Sequence, residues 1–235
     1  MNSIQQFWKN HPLASVLIIA LLVRLVAVFG AQGYLMHDDH FLVIEPASSW
    51  VVGEDHNNWL PENMKPGSDA HSVNFTYVGT QYVLLKALDS VGIQDPKNQM
   101  YWVRFIHALF SLLIVFYGYK IAQKLGGLKT AKTVGLILGL LAFMPNFAIR
   151  NLVEMVCIPP LMWSLWMLVK HRDNEQLKGY ILAAIGVGIA TGIRYQCGVF
   201  GVGIGLGLLL KKEWKGFFIL GGGSLLVFFL AQSPD

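Results

Sequence analysis

Apolar and polar residues alternate along the chain in long blocks, with seven apolar runs separated by shorter polar stretches. Several runs approach roughly the 17 to 25 residues that a helix needs to cross a bilayer, so the pattern predicts about seven transmembrane helices. The first run contains Arg24 and ends without a small-residue cleavage site, which favours a retained helix over a cleaved signal peptide. The runs cover residues 13–29, 105–119, 133–149, 152–169, 180–193, 195–210 and 216–231.

Composition supports the same class of protein. Hydrophobic residues make up 54% of the 235 residues and charged residues only 14%, against roughly 25% charged residues in soluble domains. Cys157 and Cys197 lie in or beside apolar runs and are expected to be buried thiols rather than a disulfide framework. The predicted fold class is an all-α integral membrane protein, with residues 1–235 forming a single transmembrane domain.

The distribution of charge predicts the orientation. Eleven of the 18 basic residues fall in one set of loops, whereas the segment 35–101 between the first two spans carries nine acidic residues. The positive-inside rule places the basic loops and the N-terminus in the cytoplasm and makes 35–101 a large extracytoplasmic loop. The net charge of +4 is therefore a sum over two opposed faces, and it does not predict nucleic-acid binding.

Two segments of the extracytoplasmic loop have amphipathic patterns, at residues 41–52 and 76–93. We expect both to be helices that lie on the outer membrane surface. Glycines cluster in the later apolar runs, and pairs such as Gly201 and Gly205 predict close helix packing rather than a nucleotide-binding loop.

Ionisable residues collect at the predicted outer boundary. Asp38 and Asp39 follow the first span, and three arginines and a glutamate, Arg104, Arg150, Arg194 and Glu154, follow from distant parts of the chain. Charges at this depth are costly unless they are paired or face a polar cavity, so each is a candidate functional residue. Two structural alternatives remain: each arginine reaches lipid phosphates, or Arg150 and Glu154 form an i, i+4 pair.

The residue types in this set indicate a class of reaction. A guanidinium donates two parallel hydrogen bonds to a phosphate, and a nearby carboxylate can act as a general base on a hydroxyl. Together they predict chemistry between a phosphate-bearing lipid and an alcohol at the outer leaflet. Arg24 and His107 lie deeper in the apolar runs, and we expect both to be partners within the helix bundle.

The segment "MHDDHFLVIEPA" resembles the first-loop motif of the GT-C glycosyltransferases. It is similar in particular to the mannosyltransferase branch that builds GPI anchors and N-glycan precursors, glycosyltransferase family 22, and to its bacterial relatives. That motif reads His-Pro-Asp-Glu, a variable residue, Phe-Gln, two further residues and Glu. Asp38 and Asp39 occupy the acidic pair, Phe41 the phenylalanine and Glu45 the glutamate, whereas the proline is absent and Leu42 replaces the glutamine.

Two further segments resemble the same branch: "IRNLVEM", which contains Arg150, and "GIRYQ" around Arg194. The resemblance implies an inverting transfer of a hexose such as mannose from a polyprenyl or dolichyl phosphate to a hydroxyl of a glycan or lipid acceptor. Members of the branch carry further spans and a distal domain, so this chain is expected to be an N-terminal fragment. The implied location is the bacterial inner membrane, or the endoplasmic reticulum membrane in a eukaryote.

The resemblance also implies roles for individual residues. Asp38 is the expected base and Asp39 supports it or orients the acceptor. Arg194, Arg150 and Arg104 bind the donor phosphate, while His40, Glu45 and Glu154 line the cleft or contact the acceptor. Glu45 has the alternative of capping or pairing within a surface helix.

Three other interpretations fit parts of the sequence. His37, Asp38, Asp39 and His40 could ligate a metal ion, but four neighbouring residues rarely complete a coordination shell, so no metal or other cofactor is predicted. A transporter is expected to show internal repeats and polar residues near the midplane. A non-catalytic assembly subunit has no need of an acidic pair.

Overall fold

The computed structural model of the protein describes residues 3–37, 40–54, 59 and 75–233, and every regular element in this part of the chain is helical. Helices α1 and α2 form at Ser3–Asn10 and Pro12–Gly30, and a π-helical turn at His40–Ile44 leads into α3. The prediction of an all-α protein is confirmed. The remaining helices are α3 Glu45–Val52, α4 Phe75–Ser90, α5 Pro96–Leu140, α6 Met144–Ala148, α7 Val153–Val156, α8 Ile158–Lys170, α9 Gln176–Ile193, α10 Gly198–Leu210 and α11 Trp214–Gln232.

Within the described residues, five helical segments are long and apolar enough to cross a membrane. The sequence predicted seven runs, two more than this number. One reason is that the runs 105–119 and 133–149 both fall in α5 and the short helix that follows it. A third run is the shorter helical segment Tyr195–Leu210. The five segments are Pro12–Gly30, Pro96–Leu140, Val153–Lys170, Gln176–Ile193 and Trp214–Gln232.

Helix α5 is a hairpin of two helical arms that meet at Gly127. This residue has φ +78° and ψ −177°, a conformation essentially restricted to glycine. A Cβ placed on Gly135 would lie 3.1 Å from the ring of Tyr119, and Leu138 packs directly against Gly118. Because the two contacts are centred on residues 127 and 128, the second arm runs antiparallel to the first.

The bundle has two chemically different ends. At one end, Lys124 of the first arm lies 3.3 Å from Asp173 in the loop after α8, and Lys132 lies over the ring of Trp8. At the opposite end, the Thr76 hydroxyl at the start of α4 donates to the Ala231 carbonyl near the end of α11 at 3.2 Å. The loops that the sequence predicts to be basic therefore meet at the end opposite α4.

Helices α3 and α4 pack together on the second end of the bundle. Their buried residues Ala47 and Val78 belong to one apolar cluster with Val103 of α5, Leu161 of α8 and Ala190 of α9. The two amphipathic segments predicted in the loop are thus confirmed as helices. Their apolar faces contact residues of the spanning helices.

Arg24 is fully buried and joins three helical segments. Its Nε donates to the Ser111 hydroxyl at 2.9 Å, and its Nη1 donates to the carbonyls of Ala20 at 3.1 Å and Gly139 at 3.2 Å. The last two carbonyls belong to α2 and to the second arm of α5. The prediction that Arg24 is a partner within the bundle is confirmed.

His107 is buried and connects α5 to α4. Its Nδ1 lies 2.6 Å from the Val103 carbonyl, which can only accept, so Nδ1 carries the proton. Nε2 then accepts from the Tyr77 hydroxyl at 2.6 Å, and the Gln81 amide nitrogen lies 3.4 Å away. The prediction of a hydrogen-bonded bundle histidine is confirmed, although the sequence did not identify Tyr77 and Gln81 as its partners.

Glycines bring the last three helices close together. A Cβ on Gly201 of α10 would lie 2.8 Å from Val187 of α9, and one on Gly205 would lie 3.4 Å from the ring of Phe217 of α11. Gly201 and Gly205 thus contact different neighbours, and their predicted role in close helix packing is confirmed.

Replacing Gly186 with alanine is expected to destabilise the contact between α8 and α9. The new Cβ would lie 2.6 Å from the Pro160 carbonyl oxygen, which is main chain and cannot rotate away, and would also meet the Ser164 hydroxyl. Overpacking of this kind costs about 1–3 kcal/mol, which thermal unfolding in detergent would detect as a lower Tm. Gly203→Ala is the matched control, because a Cβ at Gly203 meets nothing within 4 Å. Equal Tm values for the two variants would contradict the packing role.

Candidate active site

The predicted acid pair, Asp38 and Asp39, lies outside the described residues, but the residues on both sides of it are described. Helix α2 ends at Gly30, and residues 31–36 form an irregular segment that leads toward the pair. The π-helical turn at His40–Ile44 follows it. The surroundings of the pair can therefore be described from its two flanks.

Four rings join these two flanks. Tyr34, before the pair, stacks on His40, after it, with ring centroids 5.2 Å apart. His37 likewise stacks on Phe41 at 4.2 Å. Tyr34 also contacts His37 and Phe41 edge-on at 5.9 Å and 5.8 Å. Aromatic contacts thus join the described residues immediately before and after positions 38 and 39, within the extracytoplasmic loop that the sequence predicts.

Arg104 and Arg150 bind the main chain at the base of this loop. Arg104 Nη1 donates to the Ala31 carbonyl at 2.7 Å, and its Nη2 donates to the Gly33 carbonyl at 2.9 Å. Arg150 Nη1 donates to the same Gly33 carbonyl, and both of its Nη atoms lie 3.4 Å from the Gln32 carbonyl. Each arginine is only 8% exposed, so these main-chain contacts account for much of its environment.

The position of these contacts has a physical reason. Ala31 caps the C-terminus of α2, where carbonyl groups lack helical partners and the helix dipole favours cations. Gly33 has φ +61°, a left-handed conformation that glycine adopts without steric cost. Burial, and then the positive charge of Arg104, lower the pKa of Arg150, so the carbonyl oxygens have to stabilise two neighbouring cations.

A cavity of about 490 Å³ opens beside the loop. Tyr34 and His40 line it from the loop, and Lys97, Tyr101 and Arg104 line it from the N-terminal turns of α5. The spacing of the last three, i, i+4 and i+7, places them on one helix face. Arg104 was predicted as a site residue from the sequence, whereas Lys97 and Tyr101 were not, although this spacing could have revealed them. The cavity combines two cations with aromatic surfaces, which suits an anionic or sugar-bearing ligand.

His40 and Glu45 differ in their surroundings. Burial lowers the pKa of His40, with Glu45 opposing the shift and His37 adding to it, so the imidazole is neutral at neutral pH. Its Nδ1 is buried without a hydrogen-bond partner in the described part of the chain. Glu45 occupies the first turn of α3, where the helix dipole stabilises a carboxylate. Glu45 follows Asp38 by seven residues, a spacing that predicts one shared face in a regular α-helix, but the intervening turn at His40–Ile44 is π-helical and the spacing does not establish a shared face.

Glu154 forms an ion pair with Arg194. The Arg194 Nη1 and Glu154 Oε1 atoms are 2.5 Å apart, and their side chains are 33% and 53% exposed. The alternative pairing of Glu154 with Arg150 is wrong, because Asn151 and Leu152 are not helical and the i, i+4 geometry is lost. The pair lies at the same end of the bundle as the loop, since Arg150 and Glu154 belong to one connecting segment.

The two cysteines are free and buried, as predicted. Cys157 and Cys197 lie in the apolar cluster that supports α3 and α4, and the Cys157 thiol donates to the Glu154 carbonyl at 3.1 Å. Each follows a member of the ion pair by three residues, so the thiols pack beneath Glu154 and Arg194.

No group of three or more His, Cys, Asp or Glu side chains suited to a metal ion is found among the residues that the structure describes. Asp38 and Asp39 are not among them, so the absence of a cofactor stays a prediction.

A second cavity of about 570 Å³ runs between α9, α10 and α11. Its lining is almost wholly apolar and includes Val187, Leu206, Leu220 and Phe228. Tyr195 lines it as well, and this residue directly follows Arg194 in the chain. An apolar groove thus leads to the arginine that pairs with Glu154.

Comparison with known proteins decides the family. A sequence profile of dolichyl-phosphate-mannose-protein mannosyltransferases matches residues 96–234, which is more than half of the chain. The chain belongs to this mannosyltransferase family. The family is of the GT-C type, so the predicted superfamily and the predicted class of enzyme, a glycosyltransferase, are confirmed. The family 22 branch, which the first-loop motif resembles, is not distinguished by this match. No curated protein and no solved structure matches the chain significantly.

The mannosyltransferase match includes only part of the candidate site. It contains Arg104, Arg150, Glu154 and Arg194, whereas the first-loop segment with the acid pair precedes it. Membership in the mannosyltransferase family, together with the apolar helices, makes the chain a multi-pass membrane protein. The roles of the individual residues stay predictions.

Proposed function

We propose that the protein transfers a hexose, such as mannose, from a polyprenyl or dolichyl phosphate to a hydroxyl of a glycan or lipid acceptor. The family supports a glycosyltransferase that depends on polyprenyl-phosphate mannose. We further propose that the reaction takes place at the extracytoplasmic face and that it inverts the configuration at the anomeric carbon. One observation carries it: Arg104, Arg150 and Arg194 collect at the end of the bundle where the segment leading to the acid pair also lies.

The donor in this proposal has an apolar chain and a charged phosphate. The 570 Å³ groove between α9, α10 and α11 suits the polyprenyl chain, because its lining is apolar and opens among spanning helices. Arg194 follows at the end of this groove and offers a planar pair of donors for the phosphate. Its present partner, Glu154, is a half-exposed carboxylate, and ion pairs of this kind contribute only about 0–1 kcal/mol. A phosphate can therefore compete for the guanidinium.

The transfer requires one proton movement and one bond exchange. Asp38 accepts the proton of the acceptor hydroxyl as its oxygen attacks the anomeric carbon from the face opposite the phosphate. The bond between the anomeric carbon and the phosphate oxygen breaks, and its electron pair leaves with the polyprenyl phosphate. Negative charge grows on that phosphate, so Arg194 stabilises the transition state more than the ground state. Asp39 orients the acceptor or supports the base.

The 490 Å³ cavity is assigned to the acceptor. Tyr34 and Tyr101 offer aromatic faces, and His40 offers a buried Nδ1 that can exchange a hydrogen bond with a sugar hydroxyl. Glu45 and Glu154 are assigned to the rim of the same cleft. Arg104 and Arg150 were predicted to bind phosphate with Arg194, but their contacts with main-chain carbonyls favour Arg194 for that role.

Transfer of labelled sugar from a panel of polyprenyl-phosphate donors in isolated membranes tests this function. We expect label from polyprenyl-phosphate mannose in a lipid or glycan product, with the anomeric configuration inverted relative to the donor. A sugar nucleotide offered without lipid donor should give no product. Solute flux in proteoliposomes without any transfer would instead indicate a transporter and contradict the proposal.

A further inference from the structure

Residues 31–33 connect α2 to the segment that leads to the acid pair. They accept hydrogen bonds from two arginines of different elements, Arg104 of α5 and Arg150 of the loop after α6. We propose that Arg104 and Arg150 act together as positioning residues that hold this segment against the bundle. The inference rests on the proposed function, because the segment leads to the proposed catalytic pair.

The geometry distinguishes this contact from an ordinary helix cap. The Gly33 carbonyl accepts from both guanidinium groups, so one main-chain atom is fixed from two directions. Ala31 and Gln32 accept further donors from Arg104 and Arg150, respectively. Three successive carbonyls are therefore held by two side chains, which leaves the segment little freedom to rotate about its φ and ψ angles.

A lysine cannot reproduce this contact. Each arginine donates through two nitrogens of one rigid plane to carbonyls of different residues, whereas a lysine offers donors from a single nitrogen. Both side chains are almost completely buried, so a shorter substitute leaves carbonyls without donors and with restricted access to water.

The contacts at residues 31–33 continue along the chain to aromatic rings on both sides of the acid pair. Tyr34 directly follows Gly33 and stacks on His40, on the far side of the acid pair. His37 and Phe41 make the second contact across the pair. A displacement of residues 31–33 therefore moves both flanks of the pair together. The chemistry is sensitive to such movement, because a misplacement of 1 Å can lower the rate by about 10²-fold.

Mobility at Met36 tests the contact independently of activity. Met36 is exposed and lies between the arginine contacts and the acid pair, so a nitroxide on Met36→Cys reports the motion of the segment. We expect Arg104→Gln and Arg150→Gln to raise this mobility in the full chain in nanodiscs. Arg24→Gln is the matched control: Arg24 is also buried and also donates to main-chain carbonyls, but of Ala20 and Gly139. Unchanged mobility in both test variants would overturn the proposal.

A backbone variant covers the case in which the arginine variants do not fold. Gly33→Ala alters the shared carbonyl through its φ of +61°, and a Cβ there meets nothing within 4 Å. Gly30→Ala adds the same methyl group in open space at an ordinary φ. We expect Gly33→Ala to raise the mobility at Met36 and Gly30→Ala to leave it unchanged. Equal spectra for the two variants would count against the positioning role.

Kinetics separates positioning from phosphate binding. If Arg104 and Arg150 position the segment, their Gln and Lys variants lower kcat by about 10- to 100-fold, while the KM for the donor stays nearly constant. A raised donor KM with an unchanged kcat would assign the two arginines to the donor and overturn the proposal. If the protein shows no transferase activity, the proposed function is refuted. The mobility of the nitroxide at Met36→Cys would still decide whether the arginines hold the segment.

Discussion

Asp38→Asn is expected to lower sugar transfer by about 10²- to 10⁴-fold at equal protein abundance, the range for loss of a general base. Asparagine keeps the size of the side chain and can still accept a hydrogen bond, but it cannot remove the proton of the acceptor hydroxyl. Asp39→Asn is expected to have a smaller effect, because an orienting carboxylate is only partly replaced by an amide. Initial rates with polyprenyl-phosphate mannose as the donor measure both effects.

Asp95→Asn is the control for Asp38→Asn. Asp95 belongs to the same predicted loop, and its carboxylate accepts from the Asn98 amide at 3.0 Å as the cap of α5. Asparagine caps a helix about as well as aspartate, so this variant should retain activity and abundance. If Asp38→Asn is as active as Asp95→Asn, the assignment of Asp38 as the base is wrong, even if the protein transfers sugar.

Arg194→Gln is expected to lower kcat by about 10²- to 10³-fold, the range for removal of a donor that stabilises charge in the transition state. Arg194 directly precedes Tyr195, which lines the apolar groove, and charge on the leaving phosphate grows as the sugar departs. Arg194→Lys should recover part of the rate, because it restores the charge without the planar pair of donors. Single-turnover rates at saturating donor separate this loss from weaker binding.

Two further variants test whether the role of Arg194 is only structural. Glu154→Gln removes the same ion pair and leaves the guanidinium in place. If the pair only held α7 to the end of α9, Glu154→Gln and Arg194→Gln would cause equal losses of activity. We expect Glu154→Gln to be much the milder of the two. Arg172→Gln, at the opposite end of the bundle, controls for the loss of an arginine and should leave transfer unchanged.

Several features of the fold could be predicted from the sequence because they depend on residues that are neighbours in the chain. Apolar runs of span length, separated by charged loops, are sufficient to predict an all-α bundle with basic residues gathered at one end. The amphipathic segments at 41–52 and 76–93 were predicted as helices for the same reason, and α3 and α4 form there. Arg24 and His107 were assigned to the bundle because an isolated charge or imidazole at that depth needs a partner.

Other features involve a choice among partners that are distant in the chain. The sequence spacing suggested that Glu154 pairs with Arg150, but a break at Asn151 and Leu152 turns Glu154 toward Arg194. A reversal between the apolar runs 105–119 and 133–149 was predicted from the basic residues between them, but the sequence did not show that both arms stay helical up to a single residue, Gly127. The close packing of the two arms across Gly118 and Gly135 is likewise visible only in the structure.

The sequence by itself determined that this protein is a helical membrane protein with a polar site at one end, and its motifs pointed to a GT-C glycosyltransferase. Hydrophobic periodicity and charge distribution are properties of neighbouring residues, so they can be read without coordinates. Only the tertiary structure showed that Arg104 and Arg150 converge on the Gly33 carbonyl and that an apolar groove leads to Arg194. A guanidinium can bind a phosphate, a carboxylate or a main-chain oxygen, and the packing of distant helices determines which of these it meets.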